Sequence, residues 1–199
     1  MDMEIFKVAI ALCMGISLAA SCGFRVFVPL LVVALAVRFC GVHVSESLAW
    51  IGSDAAIWCL GAATVVEMLA YYVPWLDNLL DTITGPLALV AGTIIMSGML
   101  PDLPAYLQWG IGIVGGAGAA GAVQAGTTTL RGASSATTGG VGNCIVSTGE
   151  NFMATVGSIL AVFVPILALV GLIILVAIVC SMIRKMRRRK SAAAATPAA

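Results

Sequence analysis

Charge is what this chain has least of. Asp, Glu, Lys and Arg make up 10% of its 199 residues, where a soluble domain carries about 25%. So few charges cannot solvate a globular surface, which excludes an ordinary water-soluble fold. Histidine is nearly missing as well, with His43 alone, and no Cys-x-x-Cys, His-Glu-x-x-His, Gly-x-Ser-x-Gly or P-loop lysine pattern occurs. Zinc centres, nucleophile elbows and nucleotide cradles need those residues at those spacings. No metal, cofactor or catalytic residue is therefore expected, and no nucleic-acid partner. The six cysteines are scattered through apolar sequence. Cys13, Cys59 and Cys180 read as small membrane-buried residues. Cys22 and Cys144 fall on one side of the expected topology, so free thiols and a disulfide both stand open for them.

Apolar sequence fills the space instead. Apolar residues make up 61% of the chain and the mean hydropathy is +1.10. Apolar runs at 5–21, 24–41, 55–73, 83–100, 104–124 and 153–182 are of the length that crosses roughly 30 Å of hydrocarbon at about 1.5 Å per residue. The expected fold is all-α, a polytopic membrane bundle of about six transmembrane helices. It forms one domain, residues 1–183, followed by a basic tail, residues 184–199.

Six of the ten basic residues lie between Arg184 and Lys190. The positive-inside rule places that tail in the cytoplasm, and an even number of spans brings the N-terminus to the same side of an inner (plasma) membrane. The tail is expected to be disordered and solvated, with adhesion to anionic lipid as a further role. The first run ends in Leu18-Ala19-Ala20-Ser21-Cys22, as a secretory leader can. Yet Asp2 and Glu4 outnumber Lys7 where a leader is basic, so the run is expected to stay as the first helix.

With that topology the outward connections are 22–25, 74–86 and 126–151. Arg25, Glu67, Asp77, Asp81, Arg131 and Glu150 all lie in or beside them. A charge at the bilayer centre costs about 2.5–3.5 kcal/mol on insertion scales, so such residues need a partner, a wet cavity or a task. Asp77 and Asp81 are i, i+4 and share a face where the chain is helical. Four acids against two bases make the set net acidic, which favours cations and protons over anions. The inward connections, 42–53 and 101–104, read as ordinary solvated loops.

Residues 126–151 are rich in hydroxyls and glycine and carry two charges, Arg131 and Glu150. A long loop without structure is uncommon unless it is functional or disordered. The expectation is a partly re-entrant segment of irregular backbone lining a protein-walled cavity, against the alternative of a flexible external loop. The preceding helix carries Gly112, Gly116 and Gly118 at small-x-x-x-small spacings, which suit close packing within the chain or in a homo-oligomer. Pro29 and Pro165, in the matching stretches Val-Phe-Val-Pro-Leu-Leu and Val-Phe-Val-Pro-Ile-Leu, can each kink a helix.

Gly23-Phe24-Arg25-Val26-Phe27-Val28-Pro29-Leu30, Glu67, Val73-Pro74-Trp75-Leu76-Asp77, Asp81, Arg131, Ser134, Thr138-Gly139, Gly142-Asn143, Ser147 and Glu150 together resemble a bacterial integral-membrane family known only as a domain of unknown function, number four-one-two-six. The resemblance covers roughly residues 8–180. It implies a compact multi-helix inner-membrane protein and supplies no activity. Where that family often carries a charged pair before the proline, this chain has Tyr71-Tyr72.

The leading functional expectation is a small transporter or channel-like permeation protein with the lipid bilayer as its setting. Glu67, Asp77 and Asp81 form its cation or proton site on the non-cytoplasmic side. Arg25, Arg131, Glu150, Ser134, Thr138 and Asn143 supply an ion pair and the cavity lining. The alternative is a non-catalytic scaffold or assembly factor acting through the glycine-rich helix and the basic tail. Lipid handling is a third reading, since Asp77 and Asp81 resemble the end of the CDP-alcohol phosphotransferase motif, whose earlier half is missing here.

Overall fold

A computed structural model of the protein describes residues 2–139 and 141–194. Over these residues the chain forms α1 (Asp2–Cys22), α2 (Phe27–Cys40), a 3-10 helix (Glu46–Gly52), α3 (Asp54–Ala70), α4 (Pro74–Gly98), α5 (Ala105–Ile111), a π-helical segment (Gly112–Ala117), α6 (Gly118–Thr138), α7 (Asn143–Phe163) and α8 (Pro165–Ala194). Hydrocarbon offers the backbone no hydrogen-bond partner, so a chain this apolar folds into elements that satisfy their own amides.

Among the described residues three helices are long and apolar enough to cross a membrane: Met3–Cys22, Leu79–Gly98 and Asn143–Phe163. The 3-10 helix and α3, bent by 72° at their junction, make a fourth if taken as one span. Phe27–Cys40 and Pro165–Ile178 are shorter apolar helices. By length and composition three to four spans are clear among the described residues, where about six were expected. At 14 residues α2 falls short of the roughly 20 residues a full crossing needs.

The central element is α1, which packs against α2, α4, α6, α7 and α8. The core it joins contains Leu18, Cys22, Val33, Ile95 and Met99. Much of the rest of the interior is alanine: Ala19, Ala34, Ala88, Ala120, Ala154 and Ala161 are fully buried, while Trp58, Val114 and Ile145 are about four-fifths exposed. Small residues inside and large apolar ones outside are the arrangement of a bundle whose solvent is lipid.

Several expectations are corrected. The stretch 74–86 is not a connection. It is the first half of α4, which starts with Pro74 in its first turn and runs through Pro86. Proline is welcome at a helix start, where its missing N–H would be unpaired anyway. The supposed loop 42–53 holds the 3-10 helix, whose Leu48 and Ile51 are buried, and Ser53 caps α3 by accepting from the Ala56 amide at 3.2 Å.

The largest correction concerns 126–151. This segment is neither irregular nor a loop. It is the end of α6 and the start of α7, joined at a tight turn where Gly139 takes φ 62°. Its threonines do not disrupt the helix, because Thr129, Thr137, Thr138 and Thr148 return their hydroxyls to carbonyls one turn back.

Pro29 falls in the first turn of α2 and breaks nothing, whereas Pro165 ends α7 at Phe163 and starts α8. The chain expected to be a disordered tail stays helical to Ala194, in keeping with the strong helix propensity of Arg, Lys, Met and Ala. Residues 195–199 lie outside the described residues.

The glycines pack within the chain. Gly112 lies against the Thr93 carbonyl and Ser97 of α4, and Gly116 against Gly92, so closely that a Cβ on either would collide. Gly118 faces open space. The whole run from α5 through the π segment into α6 continues without a break, and it carries Arg131 up beside α7.

Candidate functional site

Five charged residues meet where the α1–α2 turn, α3, α4, α6 and α7 come together. Arg25 lies in the turn held by its own amide on the Ser21 carbonyl. Glu67 is in the last turn of α3, Asp81 in α4, Arg131 in α6 and Glu150 in α7. Arg25 is 1% exposed, and Glu67, Arg131 and Glu150 are 4% exposed each. Such burial leaves protein as the only source of compensating charge.

The helical period explains how α6 and α7 deliver their members. The buried residues of α7 are Asn143, Ser147, Glu150, Ala154, Ser158 and Ala161, one face at spacings of three and four. The opposite face shows Ile145 and Phe152 to the outside. In α6 the buried set is Ala120, Val123, Thr127 and Arg131. Each helix is thus polar or small inward and, in α7, large and apolar outward.

Glu150 is the centre. Its Oε1 accepts from Arg131 Nε at 3.0 Å, and its Oε2 takes both an Arg131 terminal nitrogen and Arg25 Nη1, the latter at 2.9 Å. Arg131 Nη1 reaches across to Asp81 Oδ1 at 2.5 Å. Arg25 is further held by Asn151 Oδ1, which accepts from its Nε at 2.5 Å, and by the Ser147 and Phe24 carbonyls at 3.2 Å. Both guanidinium groups lie over the Tyr71 ring, at 3.8 Å for Arg25 and 4.2 Å for Arg131, within the range where a cation is attracted to an aromatic face. The Tyr71 hydroxyl exchanges a hydrogen bond with Thr84 at 2.9 Å.

Glu67 does something different. Its two oxygens accept from the backbone amides of Val26 and Phe27 at 2.8 and 3.1 Å. Those are the first amides of α2, whose own N-terminal residue supplies no side-chain cap. A carboxylate there meets both the unpaired N–H groups and the positive end of the helix dipole. Glu67 therefore caps α2 from another helix, next to the arginines.

Two of the three acids expected at a cation or proton site have separate partners: Glu67 is held by amides and Asp81 by Arg131. The Asp77 side chain lies outside the described residues. Among the described residues no three of His, Cys, Asp and Glu converge as metal ligands. Ser134, Thr138 and Asn143 sit at the α6–α7 turn, beyond the charges. Thr138 Oγ1 bridges the Ser134 carbonyl and the Gly142 amide at 2.8 and 2.9 Å, and Asn143 Nδ2 donates to Ser135 at 3.0 Å. They bind the hairpin together. Cys22 is a buried free thiol and Cys144 an exposed one.

Sequence reasoning passed over Asn151, and it placed Tyr71 on the Glu67 face of its helix without giving it a role. Both carried a signal. Asn151 is four residues after Ser147 and adjoins Glu150, and Tyr71 is four after Glu67, so each shares its helix's polar face. The second tyrosine joins too, its hydroxyl 3.1 Å from Thr148.

The match that decides the family spans residues 12–185 and so includes every charge of this network. The chain belongs to the family described as domain of unknown function DUF4126. No curated protein and no solved structure matches it. Within this family member, the two tyrosines before Pro74 are part of the polar cluster, Tyr71 through the arginines and Tyr72 through α7.

Proposed function

We propose that the protein is a small multi-pass transport protein, proton- or cation-linked, whose coupling element is the buried network Asp81–Arg131–Glu150–Arg25 with Tyr71. One observation carries the reading: a single buried carboxylate, Glu150, serves two arginines. Buried ion pairs are a poor way to gain stability, since their apolar replacements are often neutral or better. A bundle that needed only cohesion could use alanine and glycine here, as it does between α4 and the π segment. Losing the Glu150 charge weakens the hold of α7 on both arginines at once, while Asn151 and the Ser147 carbonyl still keep Arg25 on α7 and Asp81 still holds Arg131. Such a change can bias two arrangements of the helices. In this reading the network lies on the non-cytoplasmic side of an inner membrane, with both termini and the basic stretch from Arg184 in the cytoplasm.

The test is flux in proteoliposomes. Wild-type protein should pass protons or alkali cations faster than empty liposomes. Glu150→Gln and Asp81→Asn should each lower that flux at least tenfold while circular dichroism stays unchanged, and Glu150→Asp should restore part of it. Wild-type flux at the empty-liposome level contradicts the reading.

The scaffold reading draws on the outward course of Gly118, Ala122 and Ala125, which leaves a smooth exposed strip on α6. It predicts a second copy or another membrane helix cross-linked to cysteines placed there, with flux absent.

A further inference from the structure

Asp81 and Gly98 lie toward opposite ends of α4, and a second polar feature stands at the Gly98 end. The 3-10 helix, the α4–α5 turn and α5 form the walls of a half-open cavity of about 370 Å³ lined by Ser45, Glu46, Ser47, Pro101, Gln108 and Trp109. That volume is at the small end of ligand sites, which run from about 300 to 1,000 Å³. Its walls are fixed. The Ser45 amide donates to the Gly98 carbonyl at 2.8 Å, and the buried Leu48 seats directly on Gly98.

The lining offers several acceptors alongside donors that include the Trp109 indole N–H. Glu46 carries the only formal charge on these walls. Gln108 gives its Nε2 to the Leu103 carbonyl at 2.8 Å, which leaves its carbonyl oxygen to offer. The Ser45 and Ser47 hydroxyls bond each other at 2.8 Å, so one of their two protons is already used while oxygen lone pairs remain. Trp109 lines the same cavity. Two described cations of this end are engaged elsewhere, Lys7 with Glu4 at 3.0 Å and Arg38 with Asp54 at 3.1 Å.

We propose that this cavity binds a primary ammonium group. Three N–H donors match a carboxylate, an amide oxygen and a hydroxyl, and the positive charge meets Glu46. A quaternary ammonium has no N–H to give and depends on an aromatic cage, whereas one aromatic ring is present. The ammonium belongs either to a small free amine or to an ethanolamine lipid headgroup. The exposed Trp50 and Tyr106 on the same elements are the residues that settle at headgroup depth. No residue of the charged network takes part, so this site stands or falls independently of the transport reading.

The experiment uses the full chain and two probes. Ethanolamine is titrated calorimetrically against detergent-solubilised protein, and lipid retention is read by native mass spectrometry after extraction from nanodiscs of phosphatidylethanolamine and phosphatidylglycerol. A free-amine site gives ethanolamine binding that Glu46→Gln weakens at least tenfold and Asp102→Asn leaves unchanged. A headgroup site gives retained phosphatidylethanolamine, lost in Glu46→Gln, with little binding of ethanolamine alone. Glu46 is exposed, so its replacement leaves the fold intact. Absence of both signals in the wild type, or either signal unaltered by Glu46→Gln, overturns the proposal.

Discussion

The two ends of this bundle use the same residue types to opposite effect. At the Gly98 end, Lys7 pairs with Glu4 and Arg38 with Asp54, and every one of these side chains is at least half exposed. At the Asp81 end, Arg25, Arg131 and Glu150 are nearly without solvent contact and share partners. Exposed pairs contribute about 0–1 kcal/mol, whereas removing one member of a buried pair costs about 3–5 kcal/mol because its partner is left bare. Position in the fold, and not the identity of the charge, decides what each arginine is worth. It also separates a surface that merely meets water from a cluster that has to be explained.

Breaking the buried end should have the largest effect. Arg25→Ala leaves Glu150 with one arginine and Asn151 with none, and should lower stability by about 3–5 kcal/mol, read by reversible denaturation in mixed micelles. Next comes the close helix contact between the ends. Gly116→Ala inserts a methyl group into the Gly92 backbone and should cost about 1–3 kcal/mol, while Gly118→Ala, helical and facing open space, should raise stability by up to about 1 kcal/mol. Glu67→Gln keeps one acceptor for the α2 amides but loses the charge at the helix start, a change of about 1 kcal/mol. Its local signature is faster hydrogen exchange at Val26 and Phe27. Lys7→Met, at the exposed end, should change stability by under about 1 kcal/mol, and added salt should erase even that.

The comparison also shows what was legible in the chain. The apolar runs located α1, α2, α3 and the second half of α4 closely, because hydrophobic length is set by the membrane. Five of the six charges singled out meet, and they were legible because scarcity made each one conspicuous. Their partners were not. Whether Glu67 faces a cation or the start of α2 depends on how the α1–α2 turn seats against α3, which no local pattern encodes. Residues 126–151 read as irregular because hydroxyls and glycine are poor helix formers in water. In this bundle the hydroxyls bond the helix's own carbonyls, and the inward spacing of Asn143, Ser147, Glu150 and Ser158 was the helical signal that composition hid. The 3-10 helix escaped for a related reason: Leu48 and Ile51 are too few to register as a run.

Proton flux through reconstituted protein, compared between two neutralised acids, tests the account most directly. Glu150→Gln removes the carboxylate shared by two buried arginines, and Asp54→Asn removes the exposed partner of Arg38. The account predicts at least a tenfold loss for the first and wild-type flux for the second. Equal flux in Glu150→Gln and wild type, with both above the empty-liposome level, would contradict it.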